Sequence, residues 1–336
     1  MYVIPSKIAV IIPYFQREPG LLRRCVRSVL DWGGALPVRV IVVDDGSPLP
    51  ADQEIGDLLD RGGIQIIRRE NGGPGAARNT GLDHLPSDIP FVTFLDSDDQ
   101  LIGPFLGDAV RALGRGFDLF IGDTRRAGIS KTRFLWADSP DQNIRPGDHA
   151  LIDSEHELYE FSGDFFDLLV HRSNIISANA MAYRLDRFRS NRFPEDLKQG
   201  EDRFFKLQMG QAVERVAFSP RIYADEGEGV NIFDKSGWKT DGYLRLTSNY
   251  IALSRMVLDE IRLDASQRAF VRGQLADSRR AFVAAVLHQL RHRKPLDWAQ
   301  VRATLRGDPT GAVLFLPNVL RLVAGHLGVK GRRPPG

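Results

Sequence analysis

At 336 residues the chain is long enough for one large α/β domain or for a domain with an appendage, either of them with a substantial core. Its 45 Lys and Arg against 43 Asp and Glu leave a formal net charge of +2, which argues against a nucleic-acid partner. The single cysteine, Cys25, excludes an internal disulfide and suits a reducing compartment.

In chain order, Met1 to Ser6 lack the basic region and apolar run of a signal peptide, so a cytoplasmic location is expected. Through residue 122 one plan repeats: a short β-branched run, a polar or glycine-containing turn, then a helical pattern. The strand expectations are Lys7 to Ile12, Val38 to Val43, Ile64 to Ile67, Phe91 to Leu95 and Phe117 to Ile121, mostly apolar as in strands buried on both faces. The first helix follows Glu18-Pro19-Gly20 and sets Leu22, Cys25, Val26 and Val29 opposite Arg23, Arg24 and Arg27, so Cys25 reads as core. Such alternation predicts an α/β fold with a mostly parallel central sheet flanked by helices. Residues 123 to 156 are polar and rich in turn formers, and read as loops and hairpins. A strand-like run follows at Asn174 to Tyr183, then a helix from Gly200 to Gln211 and two short strands, Arg215 to Phe218 and Arg221 to Ala224. From Trp238 onward the pattern is mainly helical. No stretch reaches the roughly 20 uninterrupted apolar residues of a spanning helix. The nearest, Ala312 to Val329, is broken by Pro317, Asn318, Arg321 and His326 and followed by Lys330, Arg332 and Arg333. This suits either a helix lying in an anionic membrane surface or a terminal helix packed on the domain.

Ligands of open parallel sheets bind beyond the carboxyl ends of the strands. There the second strand delivers Asp44-Asp45-Gly46-Ser47, which are either ligand-facing carboxylates or turn and cap residues. The fourth strand delivers Asp96-Ser97-Asp98-Asp99, three carboxylates in four residues that repel unless a cation joins them. Mg²⁺ or Mn²⁺, shared with substrate phosphates, resolves that repulsion, and a solvated acidic turn is the alternative. Between them Asn71 to Gly81 form a glycine-rich turn entering a helix, an anion site with Arg78 beside it. Gly73-x-Gly75 imitates a dinucleotide fingerprint, but that fingerprint belongs in the first turn of such a fold, and Pro13 to Glu18 contain no glycine.

In order and spacing, Ile8 to Tyr14, Val42 to Ser47, Asn71 to Gly81, Leu95 to Asp99 and Phe193 to Phe205 resemble the GT-A fold of glycosyltransferase family 2. The overall look is closest to bacterial exopolysaccharide glucosyltransferases of the succinoglycan type. The resemblance implies that Pro13, Tyr14, Glu18, Asp44 and Asp45 hold the nucleobase and ribose of a nucleotide-sugar donor. It gives Asn71, Gly73 and Arg78 to the donor as well. It gives Asp96, Ser97 and Asp98 to the sugar diphosphate, with Asp96 and Asp98 as ligands of Mn²⁺ or Mg²⁺. Asp202, second residue of a Glu-Asp pair at a helix start, matches the general base, and helix capping is its structural alternative. The family's diphosphate-clamping histidine or arginine has no clear counterpart in the acidic stretch Tyr223 to Asn231.

The expected organisation is a GT-A domain over residues 1–235, with a nucleotide-binding half to 122 and an acceptor half from 123, and a helical extension over 236–336. The expected activity is inverting transfer of glucose from UDP-glucose to a hydroxyl of a growing, lipid-linked glycan at the cytoplasmic face of the inner membrane. The alternatives are a nucleotidyltransferase, which would release pyrophosphate, and a non-catalytic nucleotide-sugar or glycan-binding module.

Overall fold

The computed structural model describes residues 8–61, 63–136, 142–227, 240 and 242–330. Lys7, Trp238, the 228–231 end of the acidic stretch, Arg332 and Arg333 lie outside the described residues. The chain divides into two compact units, Met1–Val230 and Asn231–Gly336.

The first unit is built on one sheet whose strands, in chain order, are β1 (Ile8–Tyr14), β2 (Val38–Asp44), β3 (Ile64–Arg68), β4 (Phe91–Phe94), β5 (Gln100–Leu101), β6 (Leu119–Arg126), β7 (Ala150–Asp153), β8 (Leu158–Glu160), β9 (Met181–Arg184) and β10 (Val216–Glu226). Their spatial order is β3-β2-β1-β4-β9-β6-β10-β8-β7, with β5 paired to β10 off this path. β3, β2, β1 and β4 run parallel, as does β6 with β10, while β9 is antiparallel to both neighbours. All seven residues of β1 are buried, because helices cover both faces of the sheet.

Helices α1 (Leu21–Gly33), α2 (Ala51–Ile55), α3 (Pro74–Asp83), α4 (Phe105–Gly114), α5 (Phe165–Arg172), α6 (Leu185–Phe188) and α7 (Glu201–Gly210) complete this unit. α1 buries Leu22, Cys25, Val26 and Val29, the stripe expected from its spacing, against Val10, Ile12 and Leu106. Gly81 lets α3 lie directly on the sheet, since a Cβ there would overlap the side chain of Ile11.

Two expectations need correction. The run Asn174 to Tyr183 is two 3₁₀ turns, Ser173–Ile175 and Ala178–Ala180, followed by β9 at Met181–Arg184. Its apolar residues are buried in turns as well as in the strand, and burial alone does not distinguish the two. The two strands expected around Arg215 and Arg221 are one strand, β10. Pro220, between the two expected runs, sits where the pairing to β6 shifts register between Ser219 and Ile222, an irregularity at which a missing N–H costs no ladder bond.

The second unit contains α8 (Tyr243–Glu260), α9 (Ala265–Arg291), α10 (Trp298–Gly307), α11 (Pro309–Val313) and α12 (Phe315–Lys330). Leu244, Ile251, Leu275, Phe282, Val286 and Val301 form its core. Asp308, with a 2% exposed side chain, binds Arg279 at 2.6 Å and Arg255 at 3.2 Å, which fixes the α10–α11 corner on α8 and α9. No helix among the described residues is long and apolar enough to cross a membrane.

Candidate active site

β1, β2 and β4 end side by side, so the segments that follow them meet at one edge of the sheet. Asp44 is 1% exposed, and both its oxygens are taken by backbone amides: Ser47 N–H donates at 2.8 Å and Ala51 N–H at 3.0 Å. That carboxylate shapes the turn and caps α2, the structural one of the two roles the sequence leaves open. Asp45 reaches the other way. It accepts from Gly72 N–H at 2.9 Å and Gly73 N–H at 2.7 Å, while the amide of Asn71 donates to its carbonyl at 2.9 Å. Asp45 therefore holds the glycine-rich turn against the end of β2, and Gly73 enters α3 with φ +94°, a left-handed value that favours glycine.

Pro13 and Tyr14 are buried in β1, with Tyr14 only 1% exposed. Burial pushes its phenol up to about 12, so the hydroxyl stays protonated. Glu18 lies exposed on the turn before α1. Gln16, absent from the sequence expectations, joins these loops. It is 3% exposed, its amide Nε2 donates to Ser97 Oγ at 3.1 Å, and its backbone exchanges hydrogen bonds with Ser47 Oγ at 3.0 Å each way.

The acidic loop after β4 is not a set of three equivalent carboxylates. Asp96 pairs with Arg78 at 2.7 Å. Asp99 is 4% exposed and accepts from Gly227 N–H at 2.7 Å and from the Asn179 amide. Burial, reinforced by Asp96 and Asp98, drives its carboxyl well above the usual range and so favours its neutral form. Asn179 also receives the backbone N–H of Asp96 at 2.9 Å, so one side chain clamps both ends of the loop. Asp98 remains partly exposed.

Arg78 links this loop to the later segment. Its guanidinium, 5% exposed, binds Asp96 through Nη2 and Glu201, at the start of α7, through Nη1 at 2.9 Å, and lies 5.2 Å from the centre of the Phe193 ring. Asn79 extends the junction by exchanging hydrogen bonds with the Phe193 backbone at 2.9 Å each way. Asp202 follows Glu201, is 37% exposed, and meets Lys206 at 3.0 Å. Burial works against its charge, but Lys206 and then Arg78 outweigh burial and hold its carboxyl at about 2.

Direct bonds thus join Asp45 to Asn71 and Gly73, Arg78 to Asp96 and Glu201 with Asp202 adjoining, and Ser97 to Gln16, while none of these bonds ties Pro13, Tyr14, Glu18 or Asp44 to the Arg78 group. Gln16, Asn179 and Lys206 were missed. Of these only Lys206 carries a local signal, its spacing of four residues from Asp202 on one helix.

A parallel sheet that gathers carboxylates and a glycine-rich turn at one edge is the framework of the GT-A nucleotide-sugar transferases, and solved structures share it. The chain aligns with S. aureus TarS 1-349 in complex with UDP-GlcNAc at a TM-score of 0.54 and 18% identity, over 84% of this chain and 72% of that one. A mannosyltransferase of Pyrobaculum calidifontis, PcManGT, in complex with GDP-Man and Mn²⁺, aligns at 0.50 and 14% identity over 95% and 85%. The profile described as Glycosyl transferase family 2 matches residues 9–183, and the chain belongs to that family. The succinoglycan biosynthesis protein ExoW of Rhizobium meliloti is 33% identical over 256 residues, 75% of this chain and 78% of ExoW. Glycosyltransferase GlyA of Streptococcus pneumoniae is 27% identical over 66% of this chain and 31% of its own length.

Among the described residues no group of three or more His, Cys, Asp or Glu side chains is arranged to hold a metal ion. The donor chemistry nevertheless fits a hard cation that takes one or two carboxylates from the protein and the rest of its oxygens from a diphosphate, since Asp96 and Asp98 stand one residue apart at the sheet edge and neither is buried.

Proposed function

We propose that the chain is an inverting glycosyltransferase that moves glucose from UDP-glucose to a hydroxyl of a growing, lipid-linked glycan in exopolysaccharide assembly, with Mn²⁺ or Mg²⁺ as cofactor. The observation that carries the reading is the Arg78 bridge, which sets the acidic loop after β4 and the Glu201-Asp202 pair on opposite ends of one buried guanidinium. Similarity to ExoW supports exopolysaccharide as the product class. Asp96 and Asp98 would hold the cation, whose chemistry is to stabilise the leaving diphosphate as a Lewis acid. Asp45 and the turn it anchors shape the nucleotide side. Asp202 takes the proton of the acceptor hydroxyl, and a single base facing the leaving group gives inversion. Residues 1–235 carry this chemistry and 236–336 form a helical extension.

A panel of nucleotide sugars scored for UDP release tests the reading. UDP-glucose with Mn²⁺ should give UDP, whereas no UDP from any nucleotide sugar, together with pyrophosphate released from UTP and a sugar 1-phosphate, would identify a nucleotidyltransferase instead. Asp98→Ala should weaken UDP binding in Mn²⁺ by on the order of tenfold and abolish the response to the ion. Full activity in excess chelator would remove the metal-dependent mechanism.

The extension is read as a contact with the cytoplasmic membrane face. Val313, Leu316 and Leu320 are 78%, 64% and 62% exposed, and Arg321 beside them is exposed too, which supports an apolar and basic contact with anionic lipid. Replacing all three with Ser should weaken binding to phosphatidylserine vesicles by about tenfold or more. Undiminished vesicle binding would leave α11 and α12 as a packed terminal region.

A further inference from the structure

We propose that Lys206 is a positioning residue for the transfer reaction: anchored in the protein interior by two carbonyls, it pins the Asp202 carboxylate and aims it for proton abstraction. The inference rests on the reading of Asp202 as base. Lys206 is 3% exposed, and its ammonium has three hydrogens and three partners, Ser173 O at 3.0 Å, Ile176 O at 2.9 Å and Asp202 Oδ2 at 3.0 Å. An exposed Asp-Lys pair at this helical spacing wanders between rotamers and contributes a few tenths of a kcal/mol. Here the lysine cannot wander, because the two carbonyls belong to the 3₁₀ turn Ser173–Ile175 and the residue after it.

A purely structural lysine has no need of burial. A neutral side chain could serve the two carbonyls without taking a charge out of water, and a buried ammonium is costly unless an anion meets it. The anion that meets this one is the carboxylate the transfer reaction uses. The other charged groups around the pair are Glu201 and Arg203 on α7, Arg78 on α3, and Arg133 near Lys206. Glu201 opposes ionisation of Asp202 and is itself engaged by Arg78, which leaves Lys206 as the nearest compensating charge. The consequence is a base that stays deprotonated well into acid, with one oxygen pinned by Lys206.

The test is the pH dependence of kcat/KM in the whole protein, followed by UDP release with the sugar nucleotide it accepts. In Lys206→Gln the acidic limb should move up by at least about one pH unit, because removing the cation raises the carboxyl, and the plateau should fall as well, because the carboxylate is no longer held in place. In Asp202→Asn, and in the double variant, no such movement should occur. An unmoved limb with a uniformly lower rate in Lys206→Gln would overturn the inference and leave Asp202 as base. A near-parental rate in Asp202→Asn would overturn the base assignment and this inference with it. A direct reading needs no Lys206 variant: in the ¹³C-aspartate-labelled parent, the carboxyl signal lost in Asp202→Asn should titrate at or below about 3, and titration at the ordinary value of about 3.9 or higher would overturn the inference.

Discussion

Asp202→Asn is expected to lower the turnover number by roughly 10²-fold or more while leaving UDP affinity in Mn²⁺ almost unchanged. Asn keeps the size of the side chain and an oxygen that can still accept from Lys206, but the buried ammonium loses its anion, so a lower melting temperature is expected and the kinetics are measured below it. What Asn loses is the lone pair that takes a proton, needed only as the acceptor oxygen attacks. An interaction made only in the transition state shows in kcat, not in ground-state binding. Glu201 is a poor substitute, because it is buried, bound to Arg78 and shifted by burial toward its neutral form. Steady-state kinetics with calorimetric UDP titration checks the split. A near-parental rate would remove Asp202 as base, and joint loss of UDP binding and turnover would favour its capping role.

The second large effect is expected at Arg78. Arg78→Met leaves Glu201, 8% exposed at its side chain, without its cation in the interior. Breaking a buried pair from one side costs about 3–5 kcal/mol, which in a unit of this size lowers the melting temperature by about 6–20 °C. Arg78→Lys should not rescue it, because a single ammonium cannot span Asp96 and Glu201 as the planar fork does. Adding Glu201→Met to Arg78→Met should recover a substantial part of the loss, since no uncompensated charge then stays inside. Thermal denaturation of the three variants decides the matter, and a melting temperature within a degree or two of the parent for Arg78→Met would show that the bridge carries little stability.

The elements legible in the sequence are those whose cause is local. β1, β2 and β4 announce themselves by mostly apolar runs, and the Asp44-Asp45 and Asp96 to Asp99 segments by their position after such runs. The 3.6-residue stripe of α1 predicted which side is buried. What was hidden depends on residues distant in sequence. Asn179 clamps Asp96 from 83 residues away, and Gln16 reaches Ser97 across 81, with nothing nearby in the sequence to mark either amide as buried. The glycine-rich surroundings of Arg78 mark it as an anion binder, and nothing local shows that its guanidinium also bridges two carboxylates, one of them 123 residues on. Arg78 offsets part of the repulsion expected among the three neighbouring aspartates by meeting Asp96, and burial favours the neutral form of Asp99.

The joint around Arg78 and Asn79 bears on recombination between relatives. A crossover at residue 122 would take Arg78, Asn79 and Asp96 from one parent and Phe193 and Glu201 from the other. Those residues form a single lock across the breakpoint, with Asn179 fastened to the loop at Asp96 as a second one. Chimeras that exchange the later half should therefore carry matched residues at all of these positions, and libraries that shuffle them separately are expected to lose stability.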